Sequence, residues 1–115
     1  MLFLLLFPVC SRSAVGISDS SKVPDYRFSA SSIFGDSYLP YKARLNMQSH
    51  GWAPKRNEKA NSWLQVDLGN AFIVCAIATQ GSNVFNEWAK KYKVKLTMDG
   101  ETWQYYRENS VVKVC

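Results

Sequence analysis

Residues 91–107 read KYKVKLTMDGETWQYYR. Tyr92, Val94, Leu96 and Met98 fall on one side, with Lys91, Lys93, Lys95 and Thr97 on the other. That two-residue period predicts a half-buried strand with a basic outer face. Asp99-Gly100 is the strongest short hairpin signal in the chain, and Trp103 to Arg107 (WQYYR) reads as the returning strand. Upstream, Trp63 to Leu68 (WLQVDL) alternates in the same way, Leu64, Val66 and Leu68 against Gln65 and Asp67, and Gly69-Asn70 supplies a turn. Ala71 to Ala78 (AFIVCAIA) is an unbroken apolar run, expected to be a strand covered on both faces. Cys75 in its middle is expected to be a buried, inert thiol.

The remaining segments are turn and loop chemistry. Ser11 to Ser32 is rich in serine, and Ser49 to Asn61 is polar, with His50, Gly51 and Pro54. Two loops differ because they carry apolar residues. Ile33 to Pro40 (IFGDSYLP) is interrupted by Gly35, Asp36 and Pro40, and Gln80 to Trp88 (QGSNVFNEW) holds Val84 and Phe85. No helical spacing of apolar residues and no internal repeat occur. Short strands and frequent turns predict an all-β sandwich or barrel.

The 115 residues suffice for one domain, and 47% hydrophobic content excludes intrinsic disorder. No run reaches the roughly 20 apolar residues of a membrane-spanning helix. The net charge of +5 allows an acidic partner without naming one, since a solvated basic surface also accounts for it. Three cysteines, Cys10, Cys75 and Cys115, leave open one pair plus a free thiol, and with a single histidine no zinc spacing can be written. Leu2 to Val9 (LFLLLFPV) reads as the short apolar region of a signal peptide over residues 1–9, with a buried strand as the alternative.

Catalytic patterns are missing. No Gly-rich phosphate loop, His-Glu-x-x-His or Gly-x-Ser-x-Gly is present. His50 lies in a polar loop without a neighbouring nucleophile and is expected to be solvated. Asp67 is expected to make a structural hydrogen bond, and no spacing ties Glu87 to Asp36 as an acid–base pair.

Four segments carry a resemblance: PDYRFSASS (Pro24 to Ser32); YKARLN (Tyr41 to Asn46) with GWAPKRNEKANSWLQVDLG (Gly51 to Gly69); IATQG (Ile77 to Gly81) with NEWAKKYKV (Asn86 to Val94); and MDGETWQYYRE (Met98 to Glu108). Together they resemble the discoidin domain, also called the coagulation factor V/VIII type C domain, over residues 10–115. The resemblance implies a jelly-roll-like β-sandwich of antiparallel strands, here without the family's C-terminal strands and so marginally stable alone. It also implies an extracellular, non-catalytic module that needs no cofactor; metal dependence stays open. The partners implied are glycans, anionic phospholipid surfaces, or matrix and receptor proteins, and not nucleic acid. A carbohydrate-targeting part of a larger secreted enzyme, and a non-functional fragment, are the alternatives.

In such domains, loops at one end of the sandwich bind. The resemblance therefore places the ligand site on Phe34, Tyr38 and Leu39 in the first loop and on Asn83, Val84 and Phe85 in the second. Lys90 and Lys91 would assist with an acidic ligand. The competing reading tucks Phe34, Leu39 and Phe85 under their own loops. Trp52, Trp63 and Trp103 are expected to pack in the core or at loop bases, and Arg44 to anchor a loop base. Asp36 works against an anionic surface. Cys10 matches the family's first cysteine, whereas Cys75 and Cys115 match no family disulfide site.

Overall fold

A computed structural model describes residues 14–115. The signal-peptide reading of residues 1–9 and the position of Cys10 lie outside the described residues. The chain divides into two compact units. One takes 14–70 and 78–88; the other takes 71–77 and 89–115.

In the first unit, β1 (Phe28–Ala30) pairs antiparallel with β2 (Leu64–Val66), with Phe28 opposite Val66 and Ala30 opposite Leu64. The ladder runs one bond further at each end, from Asp67 N to Arg27 O (2.9 Å) and from Ser31 N to Trp63 O (3.0 Å). Short 3-10 turns cover Asp25–Arg27, Asp36–Tyr38, Pro40–Ala43 and Arg56–Asn61. Pro40 sits at the start of its turn, where its fixed φ is already helical and its missing N–H costs nothing. Val23 and Phe28 form the buried apolar centre. Arg44 is buried beside them, donating to the carbonyls of Ile17 and Val23 (2.7 Å to Val23) and to Asp25 Oδ1 (2.6 Å). Its guanidinium also lies 4.5 Å from the Phe28 ring centroid. Arg44 is thus the polar anchor of this unit. Asp67 takes the structural role expected of it, accepting from Gly69 N (2.8 Å) and facing Arg27 (3.3 Å).

In the second unit, β3 (Lys95–Leu96) pairs with β4 (Gln104–Tyr105), Lys95 opposite Tyr105, around the expected Asp99-Gly100 turn. Asp99 Oδ1 accepts from Glu101 N and Thr102 N (both 2.8 Å) and from Thr97 Oγ1 (3.0 Å), while Gly100 takes φ +77°. A second hairpin joins β5 (Arg107–Glu108) to β6 (Val111–Val112). Its two turn residues, Asn109 (φ +50°) and Ser110 (φ +63°), both lie in the left-handed region that two-residue hairpin loops require. Tyr106 is where the segment changes partner, its N donating to Val94 O (2.8 Å) and its O accepting from Lys113 N (3.1 Å). Glu108 accepts from Lys113 Nζ (3.0 Å) and Tyr106 Oη (2.9 Å), which holds its carboxyl below the usual carboxylate range.

The architecture is therefore short antiparallel strand pairs with no α-helix among the described residues. Three expectations are corrected. The strands are shorter than the alternating segments that announced them, because pairing covers only part of each segment. Residues 71–78 form no strand, and Phe72, Ile73 and Ile77 are exposed; no described strand bonds to this run, so nothing there covers two faces. Cys75 is accordingly exposed and not buried, and it is not a free thiol; among the described residues Cys115 is free and exposed.

Candidate functional site

The first apolar loop is held at its base by Phe34 N donating to Ala53 O (2.7 Å) and closed by Tyr38 N donating to Gly35 O (2.8 Å). Closure folds Tyr38 back so that its ring meets Phe34 edge to face, centroids 5.1 Å apart. Beneath the loop, Trp52 Nε1 donates to Ser32 O (3.0 Å) and Lys55 N to Ser32 Oγ (3.1 Å). Trp52 is thus a loop-base residue, as expected. Trp63 and Trp103 depart from the packing expected of them, since both are exposed; each sits next to a two- or three-residue strand with no second layer over it among the described residues.

The second loop is pinched by Ser82 N donating to Glu87 O (2.8 Å), and Ser82 Oγ accepts from Val84 N and Phe85 N (both 3.2 Å). A Cβ at Gly81 would sit 3.1 Å from Glu87 O and 3.3 Å from Trp88 Cβ, so a larger residue would push the pinch open by a few tenths of an ångström. Two amide side chains tie this loop to residues 46–48: Asn46 N donates to Gln80 Oε1 (2.8 Å) and Asn83 Nδ2 to Gln48 Oε1 (3.1 Å).

His50 joins the two loops. Its ring stacks on Tyr38 (4.9 Å, 29°) and on Phe85 (5.1 Å, 16°), giving a continuous series Phe34–Tyr38–His50–Phe85. The expectation of a solvated histidine is thereby corrected: His50 is half-buried between two rings, and its Nδ1 is buried without a hydrogen-bond partner. The outer rings stay open, Phe34 at 47% and Phe85 at 48% exposure. The Arg56 guanidinium lies 5.7 Å from the Phe34 centroid and brings a cation to the outer end of the series. Apolar faces flanked by a cation can stack on a planar or ring-shaped ligand.

Of the residues expected in the site, the structure brings Phe34, Tyr38 and Phe85 into one cluster. Val84 is exposed beside Phe85, Leu39 is half-buried without a ring contact, and the Asn83 amide is spent on Gln48. Lys90 and Lys91 belong to the second unit. His50 and Arg56 were not foreseen. The only local hint was a lone histidine beside Gly51-Trp52 between the two apolar loops.

A family model described as the F5/8 type C domain matches residues 27–114, which takes in both loops and the ring series. The chain belongs to this family. F5/8 type C domains are β-sandwich modules that bind ligands, are typically non-catalytic, and generally occur in extracellular or secreted proteins. Among the described residues no group of His, Cys, Asp and Glu side chains is arranged to hold a metal ion, and no helix is long and apolar enough to cross a membrane.

Proposed function

We propose that this F5/8 type C domain is an extracellular, non-catalytic, jelly-roll-like module that binds carbohydrate on the Phe34–Tyr38–His50–Phe85 ring series. The observation that carries the reading is that two separate loops contribute to one continuous aromatic surface whose two end rings are about half exposed. Sugar rings offer C–H faces that stack on such rings, and Arg56 can donate to their oxygens. Asp36, exposed in the first loop, disfavours an anionic phospholipid surface as the ligand of the same cluster.

The affinity of one copy follows from the exposure. Covering the open half of each end ring contributes roughly half of the ~1.5–3 kcal/mol for a whole side chain. Association entropy takes back at least ~4 kcal/mol, more than the two end rings supply, so contacts from Tyr38, His50 and Arg56 have to make up the difference. A single site is therefore weak, and adhesion would come from several copies acting together. A glycan array with phosphatidylserine vesicles alongside tests the reading. Glycan binding that Phe85→Ala weakens is expected; vesicle binding with no glycan binding would overturn it.

A further inference from the structure

Lys91, Lys93 and Lys95 form an exposed row in the second unit, on the face opposite half-buried Tyr92, Val94 and Leu96. Only Lys95 lies in β3; Lys91 and Lys93 precede it in a segment whose burial alternates and whose backbone bonds to Cys115 and Tyr106, and at strand spacing successive stems stand about 6.7 Å apart. Lys95 stands directly across the ladder from Tyr105, and the two ammonium groups of Lys95 and Lys93 converge on that ring at 4.5 and 5.8 Å from its centroid. None of the ion pairs among the described residues takes up a charge of this row, for the carboxylate of Glu108 is spent on Lys113 and that of Asp99 on its own turn.

We infer that this lysine row with Tyr105 is a second binding site, separate from the ring series, for a linear sulfated polysaccharide. Three like charges in line within about two Debye lengths repel one another until a polyanion lies along them. Tyr105 lies under the ammonium groups of Lys93 and Lys95 and gathers them toward one anionic group. A membrane fits this face less well, because interfacial binding needs several apolar side chains around the cations, and the apolar residues that alternate with the row, Tyr92, Val94 and Leu96, are half-buried on the other side.

The test is binding of the full chain to an oligosaccharide of alternating N-sulfated glucosamine and uronate, with its desulfated form, phosphatidylserine vesicles and an oligothymidylate as comparators. Each exposed charge contact is worth up to about fivefold. Lys91→Gln, Lys93→Gln and Lys95→Gln combined should therefore weaken binding by roughly 3- to 150-fold and flatten its salt dependence. The same three positions changed to Arg should keep it, as should Lys22→Gln, Lys42→Gln and Lys59→Gln combined, which removes equal charge elsewhere. Equal loss in both glutamine sets would show net charge alone at work and overturn the assignment. So would an unchanged affinity in the first set, or a preference for vesicles, oligothymidylate or the desulfated chain.

Discussion

Arg44→Met should cost the fold about 3–5 kcal/mol, because the buried guanidinium is the donor to backbone carbonyls that nothing else among the described residues satisfies. Methionine keeps the length of the side chain but leaves the carbonyls of Ile17 and Val23 without their donor. Each carbonyl stranded out of water costs ~1–3 kcal/mol. The guanidinium over Phe28, 4.5 Å from its centroid, adds ~0.5–2 kcal/mol. The loss of Asp25 adds little, because that carboxylate is half exposed and rehydrates. Against a total stability of about 5–15 kcal/mol the loss is large. At roughly 4–8 °C per kcal/mol, the melting temperature should fall by more than about 10 °C. Urea unfolding followed by tryptophan fluorescence measures it, with Arg44→Lys expected between Met and the native residue because an ammonium replaces some of the donors. A methionine variant within about 1 kcal/mol of native would refute the reasoning.

Three further outcomes follow from the same structure. Ser110→Gly should stabilise the chain by about 0.5–1 kcal/mol, because glycine adopts the left-handed conformation of this turn residue (φ +63°) without a Cβ penalty; a lower melting temperature would contradict this. The amide hydrogens of Thr102 and Glu101 and the Thr97 hydroxyl hold the Asp99 carboxyl down at about 2 from its ordinary 3.8. Since the folded value lies below the unfolded one, its support of the β3–β4 hairpin is complete above pH 3.8 and lost as pH falls through about 2; an NMR titration midpoint near 3.8 would contradict it. His50→Phe keeps both ring stacks and removes the unpaired Nδ1, so it should match or exceed native stability, whereas His50→Ala should lose ~1–3 kcal/mol of ring pairing; an alanine variant that melts with native would contradict this.

What the sequence shows depends on how local the determining physics is. The β3–β4 hairpin was legible because Asp99-Gly100 and the Lys91–Leu96 alternation are local, and the burial along that segment alternates as the residues do. The β5–β6 hairpin was not foreseen, because Asn109-Ser110 lacks the glycine that marks such turns. The run 71–78 misled because a stretch without polar interruptions carries no period, and only its neighbours decide whether it is covered. In the site, the apolar loops were visible as Phe34, Tyr38 and Phe85 in turn contexts. Their junction was not, since Tyr38, His50 and Phe85 are distant in the chain and meet only through folding.

The proposed carbohydrate site is tested most directly by the affinity of the combined Phe34→Ala and Phe85→Ala variant for a glycan the native chain binds, measured by titration calorimetry well below both melting temperatures. The two rings are 47% and 48% exposed, so ligand burial has about half of each still to gain. That corresponds to roughly 1.5–3 kcal/mol together, or about a 10- to 150-fold weaker Kd. The variant also loses the Phe34–Tyr38 and His50–Phe85 pairs, so some loss of melting temperature accompanies the effect. A drop in affinity of this size is the predicted result. An affinity within twofold of native, in a variant that has lost stability, would show that the two phenylalanines only pack their own loops.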